Sequence, residues 1–430
     1  MAAIPPAAVV DTAGPTGSEE IHVAPSLPLT QKLKYGALAY GITKLIKTPL
    51  NLITAIKTDY LGTSPTNPDI IKALPSRPQL PVRVFLPKSH SDESPSDTKL
   101  PTLLTIHGGG FVIGSPYDND SWNRRFVQLA ETAGTSFCVI ALDYRKAPSY
   151  PFPTAIHDLE AVILDLLKPD SDSSNHGGDL PIDLDRVAIA GWSAGGNLAL
   201  AVSQLPTIRP LIKAVVPMYP VLDFVTPSEV KATKSRRYKS ALGGFRGKDT
   251  DFLMGLSGMF DWAYVSPGQR MGDPLLSPVY AVTVEEDATA EGGGRVVVKG
   301  REKFPANVFV IACELDMLGG EAWRLACKLG GKKVPGVEDM LGREEVGEEK
   351  GKLELEDERF HWQVEVTDSE EDGQTQVKRR YRWLLVPDAI HGYDQDGVGR
   401  FGDEELVGDG MEKREEVMKI IRGWLVDEVL

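Results

Sequence analysis

Short apolar runs rich in valine and isoleucine recur along this chain, and helical patterns fill the intervals between them. That alternation constrains the fold more than any other feature. Pro81–Leu86, Leu103–Ile106, Phe137–Leu142, Val187–Ala190, Ile212–Met218, Val308–Cys313 and Arg382–Val386 read as strands. Their near-continuous apolar character marks strands buried on both faces. Asn123–Thr132, Ala155–Leu167, Ala194–Gln204, Glu321–Leu329 and Glu412–Val429 read as helices. Strands alternating with helices imply an α/β fold with a mostly parallel central sheet flanked by helices. In such sheets chemistry sits beyond the carboxyl ends of the strands.

The alternation leaves flanks and interruptions to place. Residues 1–28 read as a flexible N-terminal tail and 29–80 as an N-terminal helical cap segment. Residues 81–430 form the main domain, with a cap insertion at about 224–272 and an acidic insertion at about 338–372. Residues 284–303 read as a loop. Between Leu29 and Thr58 there are five lysines and no acid, and Leu38, Ile42, Leu45 and Ile46 recur at helical spacing. A helix packed on the rest of the protein is favoured over a membrane-surface helix, because the apolar stripe is short. The acidic insertion, Glu338–Asp372, holds fifteen acids and four bases, so most of the chain's net charge of −14 is local to it. A charge run of this kind reads as solvated loop. Glu338–Glu358 is therefore expected to be exposed and mobile. Phe360–Val386 is expected to be an ordered hairpin turning at Asp372-Gly373. The same balance argues against a nucleic-acid partner, which needs a basic footprint. Three cysteines, Cys138, Cys313 and Cys327, cannot make a disulfide framework.

The strongest chemical signal is Gly191-Trp192-Ser193-Ala194-Gly195, which ends one apolar strand and opens a helical run. In that context it reads as a nucleophile elbow, a sharp turn that presents the serine hydroxyl. A second signal, His107-Gly108-Gly109-Gly110, also ends an apolar strand. Consecutive glycines let backbone N–H groups face a site unobstructed. With the N–H of Ala194 they would form an oxyanion hole, for which Gly109, Gly110 and Ala194 are the candidates.

A serine nucleophile needs a base, and the base an orienting acid. Of seven histidines, His22 falls in the tail and His90 and His176 in loops. His157 falls in a helix, His361 on the hairpin and His107 in the glycine loop, which it is expected to brace. His391 remains, just after the last strand. The acid should end the preceding strand, which makes Asp316 the choice and Glu314 the runner-up. Phe111, Tyr117 and Trp192 are candidates to line an apolar substrate pocket.

With these residues in place the chain resembles the hormone-sensitive-lipase-like branch of the α/β-hydrolase family. The resemblance runs from Pro81 to Asp394. It rests on His107–Gly110, Asp143-Tyr144-Arg145, Ala147-Pro148, Pro151-Phe152-Pro153, Gly191–Asn197, Asp273–Ser277-Pro278, Glu314-Leu315-Asp316 and His391-Gly392-Tyr393, all in the family's order. It implies an α/β-hydrolase fold with a helical cap, carboxylic-ester hydrolysis, and no metal or organic cofactor. Ser193 would be nucleophile, His391 base and Asp316 acid. Trp192 stands where the family usually has Asp, and the insertions are similar in style to those of fungal members, some of which act in secondary metabolism.

The expected substrate is a small ester with an apolar acyl or alcohol part. Two other readings use the same fold: a biosynthetic cyclase or acyltransferase with the same Ser and His, and a non-catalytic ligand-binding member. No signal peptide or spanning segment is read, so a soluble, cytoplasmic protein is expected.

Overall fold

The computed structural model describes residues 8–10, 21–57, 61, 64–91, 98–167, 180–287, 295–369, 376–396 and 404–430. Its centre is a nine-stranded sheet of β1 (Ile70–Leu74), β2 (Arg77–Phe85), β3 (Leu100–Ile106), β4 (Cys138–Leu142), β5 (Ile182–Trp192), β6 (Ala214–Met218), β7 (Asn307–Cys313), β8 (His361–Ser369) and β9 (Gln376–Val386). In space the order is β8-β9-β7-β6-β5-β3-β4-β2-β1. The central strands from β9 to β4 pair in parallel. β8 joins one edge antiparallel, and β2 with β1 the other.

The main helices are α1 (Leu29–Tyr40), α2 (Thr48–Ala55), α3 (Asp120–Thr132), α4 (Thr154–Leu167), α5 (Ala194–Ser203), α6 (Ser228–Lys234), α7 (Met254–Tyr264), α8 (Gly319–Gly330) and α9 (Glu404–Trp424), with a π-helical turn, Gly41–Lys47, between α1 and α2. Side chains alternate across a strand, so neighbouring residues enter different cores. Leu104 and Ile189 join Leu159, Leu198 and Leu325 of α4, α5 and α8 on one face. Leu103 and Ala188 join Phe126 and Met418 of α3 and α9 on the other. Every residue of β3, β4, β6 and β7 is buried, which is why their sequences lack polar alternation.

The parallel pairing aligns the strand ends. Ile106 pairs with Gly191, Trp192 with Met218, and Cys313 with Val386. The glycine loop, the serine turn, the acid loop and the histidine loop therefore leave the sheet side by side. Over them lies a cap drawn from the N-terminal helices and from the segment between β6 and β7. α1 packs on α7, with Tyr35 and Trp262 ring centroids 6.1 Å apart.

Several expectations need correction. Residues 21–28 are bound to the fold: Ala24 N–H donates to Gln269 O and Met271 N–H to His22 O, at 2.9 and 2.8 Å. Most of the expected tail, 1–7 and 11–20, lies outside the described residues, as do His176, Asp372 and Gly373. The 29–80 segment is helical only in part, since its last residues form β1 and the start of β2 in the main sheet. Leu38 and Ile42 pack against the core, whereas Leu45 and Ile46 are exposed. Within 284–303, Thr283–Asp287 pairs antiparallel with Arg295–Lys299.

The acidic insertion departs furthest from expectation. Many of its carboxylates do face water, as charge repulsion dictates. Its backbone, however, is pinned to buried acids elsewhere. Arg343 N–H donates to Glu314, Gly347 N–H to Asp388 and Gly351 N–H to Asp409, at 2.8, 2.7 and 2.8 Å. Leu341, Leu353 and Phe360 are buried. The segment then runs into β8, which pairs with β9 as the second arm of the hairpin.

Candidate active site

Ser193 sits at the turn between β5 and α5 with φ 54° and ψ −117°. A non-glycine residue pays for positive φ, so such a conformation persists only where the surroundings impose it. Here the two flanking glycines permit the turn. A Cβ on Gly195 would stand 2.1 Å from the Ile106 carbonyl oxygen, and one on Gly191 2.2 Å from that of Gly195. Only hydrogen fits at either place, so β5 can pass directly into α5. Ser193 N–H donates to Met218 O at 2.9 Å, fixing the turn against β6.

His391 lies in the loop after β9. Its Nε2 is 2.9 Å from Ser193 Oγ and its Nδ1 is 2.7 Å from Asp316 Oδ2. Asp316 is buried in the loop after β7, where its other oxygen accepts the Leu318 N–H at 2.9 Å. These bonds set the tautomer: Nδ1–H donates to the carboxylate, and Nε2 accepts from the serine hydroxyl. Burial disfavours a charged imidazole, but the carboxylates of Asp316, Asp251 and Asp394 outweigh it and hold His391 above its ordinary value.

The glycine loop faces the same hydroxyl. A Cβ on Gly108 would stand 3.3 Å from Ser193 Cβ. Gly109 and Gly110 have φ of 100° and 57°, which glycine adopts freely. Among the described residues the N–H groups of Gly109, Gly110 and Ala194 have no acceptor. His107 braces this loop: its ring nitrogens lie 2.7 Å from Gly108 O and 3.0 Å from Asp143, and its ring stacks on Tyr144.

Behind these groups lie residues that sequence reasoning did not single out for the site. Asp251, from the cap insertion, accepts the Met317 N–H at 2.9 Å and lies 3.2 Å from Arg236, which donates to Leu315 O. Burial and then the Asp316 charge raise the Asp251 carboxyl above the usual range. Lys239 is buried between Glu314 and Asp388 at 2.9 and 2.5 Å. Glu314 also accepts the Asp388 N–H at 2.8 Å. Glu314, the runner-up acid, thus belongs to a separate network that joins the acid loop to the histidine loop. One signal in the sequence pointed there: Arg236, Lys239 and Arg246 cluster within the segment 224–272.

A cavity of about 990 Å³ opens over Ser193 and His391, with Phe224, Leu256, Phe260, Met271 and Met317 among its apolar lining. Phe111, Tyr117 and Trp192 all border it, but unequally. Tyr117 is half-buried under the Arg83 guanidinium. The Phe111 ring stacks on Tyr264 and is 2% exposed. Trp192 is 1% exposed: its ring meets Trp122 edge-on and its Nε1–H donates to Asp394 at 3.1 Å. Trp192 thus borders the cavity while its ring packs in the core. It supports Asp394, which also accepts from the Tyr219 hydroxyl beside the His391 ring.

Comparison with known proteins agrees with this architecture. A family model described as alpha/beta hydrolase fold matches residues 103–340. An arylesterase of Saccharolobus solfataricus is 28% identical over 205 residues, 47% of this chain and 57% of that protein. Probable carboxylesterase 7 of Arabidopsis thaliana is 27% identical over 274 residues, 60% of this chain and 77% of its own. The chain spans about half the length, or less, of the first curated relatives it matches. A hyperthermophilic esterase from the archaeon Pyrobaculum calidifontis shares the fold, with a TM-score of 0.52 and 20% identity over 94% of this chain and 99% of that one.

Proposed function

This chain belongs to the α/β-hydrolase family, and from that premise we propose that it hydrolyses small carboxylic esters, with Ser193 as nucleophile, His391 as base and Asp316 as orienting acid. The observation that carries the reading is the unbroken chain from Asp316 through His391 to Ser193, at 2.7 and 2.9 Å. In it His391 Nε2 takes the hydroxyl proton as Ser193 Oγ bonds to the ester carbonyl carbon. The Asp316 carboxylate holds the ring and stabilises the imidazolium so formed. The oxygen of the tetrahedral intermediate collects its charge against the N–H groups of Gly109, Gly110 and Ala194. His391 returns the proton to the departing alkoxide, leaving an acyl-enzyme. Water then attacks by the same route and frees the acid and Ser193.

The apolar cavity suits an ester with an apolar acyl or alcohol part. The names of the relatives, arylesterase and carboxylesterase, support that substrate class. The style of the insertions at about 224–272 and 338–372 is the basis for placing the chain in a fungal-type branch as part of the same proposal.

The test is covalent. Incubation with an activated phosphonate ester should add one phosphonyl group, located on Ser193 by peptide mass spectrometry. Hydrolysis of p-nitrophenyl butyrate should stop with the same stoichiometry. Ser193→Ala should take no label and lose at least about a thousandfold in kcat, since the three groups act as one unit. Label on another residue, or wild-type turnover by Ser193→Ala, would overturn the assignment.

A further inference from the structure

The cap helices have two unlike sides. Inward, Tyr35, Leu38, Leu50, Asn51 and Thr54 line the cavity above Ser193. Outward, apolar side chains stand in water. Leu29, Leu33 and Tyr40 of α1 are 71%, 64% and 63% exposed. They recur at i, i+4 and i+11, which puts them on one stripe of the helix. Leu45, Ile46, Leu52, Ile53 and Ile56 continue the apolar surface across the next turns, each exposed. Single exposed apolar residues need no explanation, but a contiguous patch of this extent on one element marks an interaction surface.

The charge of the same segment selects the partner. Lys32, Lys34, Lys44, Lys47 and Lys57 lie within it, with no acid from Leu29 to Thr58 in a chain of net charge −14. Lys47 is spent on an ion pair with Asp118 and, with Lys32 and Lys34, borders the cavity, while Lys44 is exposed and away from it. Exposed leucine and isoleucine interleaved with lysine suit a surface that is apolar beneath and anionic at its rim. A phospholipid leaflet with anionic headgroups has that construction. No helix among the described residues is long and apolar enough to cross a membrane, so the contact would be lateral.

We propose that the outward face of residues 29–57 docks on an anionic phospholipid surface, which places the roof of the active-site cavity against the leaflet. An ester dissolved in the acyl chains would then meet the cavity through the helices that line it. The docking itself is independent of ester hydrolysis and can be read without it.

The test is co-sedimentation of the full chain with sucrose-loaded vesicles of phosphatidylcholine, with or without 30 mol% phosphatidylserine. Wild type should pellet with the phosphatidylserine vesicles and partition at least tenfold less into phosphatidylcholine alone or at high salt. Replacing Leu45, Ile46, Leu52 and Ile53 together by serine should cut partitioning at least tenfold. All four are already exposed and none lines the cavity, so hydrolysis of a soluble ester should be unchanged. Lys44→Glu should cost about fivefold or more, the share of one lysine near an anionic surface. Ser193→Ala should bind as wild type does. Three results would overturn the proposal: no pelleting with phosphatidylserine vesicles at low salt, unchanged binding by the fourfold serine variant, or a dimer in sedimentation equilibrium that this variant dissociates. The last would assign the face to a second copy of the chain.

Discussion

Removing the Lys239 ammonium should damage this protein more than its distance from the chemistry suggests. Lys239 is 3% exposed, and its partners Glu314 and Asp388 are 0% and 5% exposed. In Lys239→Met the two carboxylates keep their backbone donors, from Arg343 and Asp388 to Glu314 and from Gly347 to Asp388. They lose their shared cation and face each other in a dry interior. Breaking a buried ion pair from one side costs about 3–5 kcal/mol, because an uncompensated charge stays behind. That is a large part of the ~5–15 kcal/mol of a typical fold. With a urea dependence near ~3 kcal/mol per molar, the unfolding midpoint should fall by about 1–1.7 M.

Tryptophan fluorescence in urea reads the shift. The network also spans the loops that carry Asp316 and His391, so ester turnover should fall in water as well. The control is Lys239→Met with Glu314→Gln and Asp388→Asn, which removes all three charges. Asparagine tolerates the left-handed backbone of residue 388, where φ is 54°. If stranded charge is the cause, this variant should recover at least half of the lost midpoint. A single variant within about 0.3 M of wild type, or a triple variant no better than the single, would refute the reasoning.

Asp251→Asn should shift the acid limb of kcat/KM to lower pH. The Asp251 charge helps hold His391 above its ordinary value, alongside Asp316 and Asp394; only the neutral imidazole is a base, so removing that charge frees it at lower pH. A limb that stays put or moves up in a pH–rate profile would contradict this. Exchanging Glu338–Glu358 for a short Gly/Ser linker should cost more than tenfold in turnover or most of the soluble yield. It strips backbone donors from buried Glu314, Asp388 and Asp409, at about 1–3 kcal/mol for each group left unsatisfied. A folded deletion variant with near-wild-type rates would argue that the insertion is dispensable. Trp192→Phe should lower stability by about 1–3 kcal/mol through loss of the bond to Asp394, with KM for a small ester nearly unchanged; a large KM change would show that the Trp192 ring meets the substrate.

What the sequence determined by itself are the features encoded over a few neighbouring residues. The buried parallel strands show as unbroken apolar runs because both faces are covered. The serine turn shows because its backbone path tolerates only hydrogen at Gly191 and Gly195. The glycine loop shows for a similar reason. His391 and Asp316 were reachable because in this kind of sheet chemistry collects at strand ends, so position in chain order substitutes for position in space. Only the tertiary structure decided what depends on residues far apart. Lys239 meets Glu314 and Asp388 from 75 and 149 positions away, and no local pattern announces that pairing. The acidic insertion has the composition of a solvated loop. Its side chains obey that composition, while its backbone N–H groups, which composition does not register, bind buried acids from other loops. Likewise Leu38 and Leu45 look equivalent in a helical repeat. One is covered and the other bare because Gly41–Lys47 winds as a π-helix, so the α-helical repeat that holds Leu38 does not carry through to Leu45.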